Sequence, residues 1–228
     1  MVVGTGLLAT IFKAYKTSDE VLIFASGVSN SKETNQEAFN REIDLLKTTI
    51  ASYPKAKIVY FSTVSITDPS VNKSAYVQHK LTIEEYIKAT AAQYLILRVS
   101  NVVGAKGNPN TIMNFLVSAV KEQQPVTIWT KAERNMIDVA DVYIIAHSLL
   151  ERQTTNTTVN VAVRNSLPVR QMLTVIEEYC NKSAQVTYVD KGSPLPIEVT
   201  QIEAELEQIE ANSGIGTEYV FSLLKKYY

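Results

Sequence analysis

Two stretches of the chain carry side chains that can move a proton. "FSTVS" (Phe61–Ser65) ends an apolar run with three hydroxyls, on Ser62, Thr63 and Ser65, and "YVQHK" (Tyr76–Lys80) begins eleven residues after Ser65. At i and i+4 of a helix, Tyr76 and Lys80 share one face. An ammonium beside a phenol favours the phenolate, so a tyrosine so placed can give or take a proton near neutral pH. A strand-end hydroxyl can hold the substrate oxygen beside it. The spacing alone is not specific, because Y-x-x-x-K recurs at Tyr53–Lys57. That copy has Pro54 inside it and a strand directly after, and reads as loop. His79 lies inside the Tyr76 motif on another helix face and reads as a surface or subunit-contact residue.

A second pattern could hold an anion. The chain opens "MVVGTGLLA", with Gly4, Gly6 and Ala9 in G-x-G-x-x-A spacing around Thr5, Leu7 and Leu8. In a dinucleotide-binding turn the first glycine allows the bend, the second lets backbone approach a pyrophosphate, and the third small residue lets helix pack on sheet. The pyrophosphate then sits on the free N–H groups of the helix N-terminus. The same residues also read as a Gly-rich start before an ordinary helix. An acidic ribose anchor is expected about 20 residues on, but that region reads "VLIFASGVSNS", and Asp19 and Glu20 precede it. No Arg or Lys stands there for a ribose phosphate either.

The elements that must position these groups alternate in type. Strand runs are read at Met1–Val3, Val21–Phe24, Lys57–Ser62, Tyr94–Val99, Val126–Trp129, Val159–Val163 and Ala184–Val189. Helical spacing is read over Leu7–Lys16, Asn35–Ser52, Ala75–Ala91, Thr111–Glu122, Asp138–Arg152 and Val169–Cys180, and the chain ends in a Tyr/Lys-rich helix. In the second helix Phe39, Ile43, Leu46 and Ile50 share one face, and Asp138 is a candidate N-cap. Turn residues gather near Lys106–Asn110 and Gly192–Pro196. Such alternation predicts an α/β fold with a doubly wound parallel sheet.

Composition narrows the function classes. The 228 residues are 46% hydrophobic, enough for a sizeable core, and the net charge of −1 gives no nucleic-acid footprint. Cys180 is the single cysteine and the two histidines are His79 and His147. A disulfide framework or Cys-rich zinc site cannot form within the chain, and no metal site is expected. No apolar run reaches the roughly 18 residues of a membrane span. These features point to the cytoplasm.

Taken in order, the motifs resemble the extended short-chain dehydrogenase/reductases, the NAD-dependent epimerase/dehydratase family of nucleotide-sugar enzymes. "VVGTGLLA" looks like that family's glycine turn, "DEVLIFASG" (Asp19–Gly27) like its fourth strand, "FSTVS" like the strand end with the active-site Ser/Thr, and "YVQHK" like its Tyr/Lys pair. "LRVSNVVG" (Leu97–Gly104), "ERNMIDVADV" (Glu133–Val142) and "VNVAVRNSLPVRQMLTVI" (Val159–Ile176) continue the series over nearly the whole chain. The resemblance implies Tyr76 as general acid/base, with Lys80 favouring its phenolate and bonding the nicotinamide ribose. Thr63 matches the substrate-oxygen hydroxyl. Gly4, Thr5, Gly6, Leu7, Leu8, Ala25, Ser26, Gly27, Ser62 and Lys80 fall at the NAD(P)(H) site, with no preference between NAD and NADP set. Ser65, Asn101 and Arg134 fall at a nucleotide-sugar, where Arg134 is either a bidentate donor to the diphosphate or a surface ion-pair partner of Glu133 or Asp138.

The implied fold is a Rossmann-like sheet, reduced in size, with a small C-terminal substrate-binding subdomain. The core is expected at 1–104 plus 126–163 and the substrate-binding part at 105–125 and 164–228. The segment from the second strand to the third is missing, which agrees with the missing ribose anchor. Phe24 and Val103 stand where the family has His and Tyr, and the gap from hydroxyl to Tyr76 is short. The implied activity is that of an NAD(P)-dependent 4-ketoreductase or epimerase in deoxysugar or surface-polysaccharide synthesis. The ketoreductase type is favoured on a small substrate domain, and the resemblance implies a homodimer, with no nucleic-acid or membrane partner expected. The alternative is an inactive relative that binds a nucleotide, a nucleotide-sugar or a partner protein and has lost the adenosine-ribose site.

Overall fold

The computed structural model describes residues 1–105 and 111–228, so the turn expected near Lys106–Asn110 lies outside the described residues. The chain divides into two compact units, Met1–Val99 with Val142–Val161, and Ser100–Asp141 with Ala162–Tyr228. The second is nearly as long as the first. Residues 100–104 and 126–141 group with the second unit because their short strands pair inside it.

The first unit is built on a parallel sheet of β1 (Val2–Val3), β2 (Val21–Phe24), β3 (Lys57–Thr63), β4 (Gln93–Val99) and β9 (Thr157–Val161), in the order β1-β2-β3-β4-β9. The runs "VLIF", "KIVYFS" and "YLILRV" form these strands because a parallel sheet is covered on both faces and needs apolar residues at every position. Alternate residues separate the faces. Leu22, Phe24, Ile58, Tyr60 and Ile96 pack with Leu46 and Ile50 of α2 (Gln36–Ser52) and with Ile83 and Ile87 of α3 (Ala75–Thr90). Each fully buried aliphatic side chain there contributes about 1.5–3 kcal/mol. On the odd-numbered positions Phe61 meets Phe12, whose ring also lies 5.3 Å from Tyr143. Side chains cap both inner helices, Asn35 accepting from the Glu37 N–H at 2.8 Å and Ser74 from the Val77 N–H at 3.3 Å.

The helix expected over Leu7–Lys16 is shorter. α1 spans Leu7–Ile11, Phe12 leaves helical geometry with its side chain fully buried, and a 3-10 turn covers Lys13–Tyr15. The chain then enters β2, which pairs in parallel with β1. In the doubly wound order 3-2-1-4-5-6 the first strand is central. Here β1 is the edge of the described sheet, and β2, β3, β4 and β9 follow it in that order.

In the second unit β5 (Asn101–Val103) pairs with β8 (Met136–Asp138), β6 (Pro125–Trp129) with β11 (Gln185–Val189), and β7 (Glu133–Arg134) with β10 (Leu167–Pro168). Around them lie α4 (Ile112–Lys121), α6 (Val169–Cys180), α7 (Glu203–Ser213) and the terminal α8 (Thr217–Tyr227). Asp138 caps α5 (Val139–Glu151), accepting the Ala140 N–H at 2.8 Å. It also ties down α8 through Lys226 at 2.7 Å and Tyr227 at 2.6 Å. The buried Tyr219 hydroxyl accepts the Asp138 N–H at 2.8 Å and donates to Asp141 at 2.5 Å. Among the described residues no helix is long and apolar enough to cross a membrane.

Candidate active site

The glycine turn between β1 and α1 is shaped by close approach. Gly4 has φ +127°, and a Cβ there would run into the Ala25 carbonyl group, 2.7 Å from its carbon. Only glycine takes that conformation at little cost. A Cβ on Gly6, at φ −74°, would meet nothing within 4 Å. Thr5 and Gly6 are exposed, Leu7 and Leu8 half-buried, and Ala9 is buried against the sheet. The turn thus packs on one side, on the Ala25–Ser26 backbone, and is open on the other. The leading N–H groups of α1 have no partner within the helix.

Ala25, Ser26 and Gly27 follow β2 and continue this surface. A Cβ on Gly27 would lie 2.7 Å from both the Lys80 Nζ and Glu42 Oε1. The loop therefore seats directly on a buried cluster. Glu42 Oε1 accepts from Tyr60 at 2.8 Å and from Lys80 at 3.0 Å, and Oε2 accepts from the Val28 N–H at 2.6 Å and from His79 Nε2 at 2.9 Å. Those four bonds fill the carboxylate's acceptor sites. Burial pushes the Glu42 carboxyl up, but the Lys80 charge and the hydrogen bonds outweigh it and hold the group at about 2. The buried Tyr60 hydroxyl is pushed well above its ordinary range by burial and by Glu42.

Tyr76 and Lys80 share one face of α3, as their spacing predicts. The Lys80 Nζ lies 5.9 Å from the centre of the Tyr76 ring and 2.9 Å from the Tyr60 hydroxyl. Two of the three ammonium donors are engaged, by Glu42 and Tyr60, which leaves one. His79 is not at the surface: it is buried, stacked on Phe39 with ring centres 4.4 Å apart, because its helix face turns toward α2.

The hydroxyls of β3 diverge. Thr63 accepts the Ser65 N–H at 3.1 Å and so starts the 3-10 turn Val64–Thr67. Its own O–H is left as a donor. Ser62 points into a second buried network, 2.6 Å from Glu84, which Arg98 grips with two bonds of 2.9 and 2.7 Å.

In the second unit Asn101 donates its side-chain amide to the Asn135 carbonyl at 2.8 Å, and Asn135 in turn holds both backbone groups of Val163. Arg134 is half-buried on β7 and donates to the Glu133 carbonyl at 2.7 Å. The Glu133 carboxylate accepts the Leu195 N–H at 3.0 Å, and Asp138 accepts from Lys226 of α8. Three residues that order these sites escaped the motif reading: Glu42, Tyr60 and Asn135. Glu42 had a signal, a carboxylate at helical spacing within the apolar stripe Phe39, Ile43, Leu46 and Ile50.

The parallel sheet, with the glycine turn at its first strand, defines a Rossmann-like α/β protein. Residues 5–162 match the NAD dependent epimerase/dehydratase family, to which the chain belongs. Among solved structures it is similar to the UDP-glucose 4-epimerase of Thermus thermophilus in complex with NAD. The identity is 14% and the TM-score 0.68, covering 96% of this chain and 81% of that one. It is similar also to dTDP-glucose 4,6-dehydratase of Bacillus anthracis in complex with NAD, at 14% identity and a TM-score of 0.69 over 96% and 77% of the two chains. The UDP-glucuronic acid 4-epimerase of Bacillus cereus, in complex with UDP-glucuronic acid and NAD, shares 16% identity and a TM-score of 0.68 over 95% and 79%. No curated protein matches the sequence.

Proposed function

We propose that the chain is an NAD(P)-dependent nucleotide-sugar oxidoreductase of the 4-ketoreductase or epimerase type. One observation carries the reading. A run of close contacts links Gly4 to the Ala25–Gly27 loop and that loop to the buried Lys80, which shares a helix face with the buried Tyr76, since a Cβ on Gly4 would meet Ala25 and one on Gly27 would meet the Lys80 Nζ. It fits the pyrophosphate and nicotinamide-ribose end of a dinucleotide. The open side of Gly6 admits a pyrophosphate, and the remaining Lys80 donor suits a ribose hydroxyl. The adenosine end has less to meet, because β1 is the edge of the described sheet and Asp19 and Glu20 sit at the amino end of β2.

A nicotinamide bound there supplies the hydride donor or acceptor. Tyr76 moves the proton of the sugar hydroxyl or ketone, Lys80 holds its charge in check, and the Thr63 O–H bonds the same oxygen. Asn101 and Arg134 bind the nucleotide-sugar, Arg134 through its diphosphate. In this reading the enzyme serves deoxysugar or surface-polysaccharide synthesis in the cytoplasm as a homodimer. The second unit is nearly as long as the first, so its size does not separate ketoreductase from epimerase. The test is turnover on a panel of UDP- and dTDP-sugars and their 4-keto forms, with NADH and NADPH. Oxidation of the reduced cofactor by a keto sugar marks a ketoreductase, and interconversion of epimers marks an epimerase. Tyr76→Phe should abolish either activity. A wild-type protein inert across the panel would sink the enzymatic reading.

One observation favours a second reading, a binding protein without turnover: among the described residues no strand pairs beyond β1. It gains if the protein binds a nucleotide-sugar with equal affinity in wild type and Tyr76→Phe and turns nothing over.

A further inference from the structure

We infer that Glu42 is a positioning residue of the cofactor site, the group that fixes Lys80 and the Ala25–Gly27 loop to one another. The inference rests on the cofactor reading above. Three elements meet at this one carboxylate. The loop after β2 brings the Val28 N–H to Oε2 at 2.6 Å, β3 brings the Tyr60 hydroxyl to Oε1 at 2.8 Å, and α3 brings Lys80 to Oε1 at 3.0 Å and His79 to Oε2 at 2.9 Å. Gly27 completes the fit, since a Cβ there would stand 2.7 Å from both members of the ion pair.

The arrangement does two things. A lysine on four rotatable bonds is mobile, and two fixed acceptors, Glu42 and Tyr60, remove that freedom before a ligand arrives. Preorganisation of this kind lowers the ordering cost of binding. The loop is also short of supports, because its neighbour β1 has two residues and ends the described sheet. Tying the Val28 N–H to a helix-borne carboxylate anchors the loop from below. A dinucleotide laid over Gly6 and Ala25–Gly27 then meets a Lys80 donor already in place.

The experiment is calorimetric titration of NADH into the full chain, with a thermal melt of each variant. Glu42→Gln keeps the volume and removes the charge. It should raise the NADH Kd about tenfold or more. Tyr60→Phe takes one bond from Glu42 and one from Lys80 and should raise Kd in the same direction by less, and it decides the matter if Glu42→Gln does not fold. Tyr219→Phe in the second unit is the control for lost stability alone, with a lower Tm and unchanged Kd. Variants at Glu42 and Tyr60 that melt lower but bind as wild type would make Glu42 merely architectural and overturn the inference. Tighter binding would overturn it too, by showing that Glu42 withholds Lys80 from the ligand. If wild type itself binds no NADH, the cofactor reading has failed, and the inference with it.

Discussion

Gly4 and Gly6 stand two residues apart in one turn, yet alanine at each should fail in a different way. At Gly4 the backbone has φ +127°, and the new methyl would press on the carbonyl group of Ala25, part of the segment that pairs with β1 through Ala25 N–H to Val3 O at 2.8 Å. Neither atom is the free end of a flexible side chain, so the strand pair must part. An L-residue held in that region costs about 1–3 kcal/mol, and forced overpacking about as much again. We expect Gly4→Ala to lose about 2–6 kcal/mol, a Tm lower by about 4–24 °C for a chain of this length. At Gly6, φ −74° suits alanine and the methyl meets no protein atom within 4 Å. The Tm should stay within about 2 °C, since surface changes of this kind sit within about 0.5 kcal/mol. The methyl would instead occupy the space through which a pyrophosphate reaches the turn. Loss of one charge-assisted bond, about 1.5–3 kcal/mol, weakens binding about 10- to 100-fold. Scanning fluorimetry reads the first effect and NADH titration the second. A Gly6→Ala protein that binds NADH like wild type refutes the cradle, and a Gly4→Ala protein that melts like wild type refutes the packing argument.

Other consequences are as definite. The Glu42 carboxyl falls from its ordinary 4.5 to about 2 on folding. Its stabilisation is therefore present above pH 4.5 and lost as pH drops toward 2, and Glu42→Gln should flatten the acid limb of a stability-against-pH curve in that window. Tyr219→Phe strands the Asp138 N–H and one Asp141 oxygen. It should cost about 2 kcal/mol and lower Tm by about 4–8 °C. With no Asp, Glu, Arg or Lys in the stretch 21–31 that follows the first helix, NADH and NADPH should bind within about threefold of each other. A preference above about tenfold would show that a side chain outside this reading grips the 2′ position.

Much of the frame was legible because its signals are local. The strands β2, β3 and β4 are unbroken apolar runs, and only burial on both faces calls for them. Tyr76 and Lys80 were readable as a pair because helical geometry alone brings them to one face. That β1 ends the described sheet also followed from order, since "VLIFASG" comes straight after the first helix. The two-residue strands β7 and β10 were not legible: they are too short for any periodicity and exist by pairing with each other. The burial of His79 was missed for a related reason. Its face is decided by α2, whose Phe39 ring and Glu42 carboxylate come from forty residues earlier in the chain. Ser62 and Thr63 show the same limit at the site. Adjacent residues on a strand point opposite ways, and only the position of Glu84 reveals that Ser62 is engaged elsewhere.

The central claim is that the first unit carries a dinucleotide site running from the glycine turn to Lys80. Titration of NADH into the wild-type chain and into Lys80→Met, with and without a nucleotide-sugar present, tests it most directly. The account predicts saturable binding by wild type that Lys80→Met weakens at least about tenfold. Wild-type protein that binds no NADH at millimolar cofactor under either condition, or Lys80→Met that binds it unchanged, would contradict it.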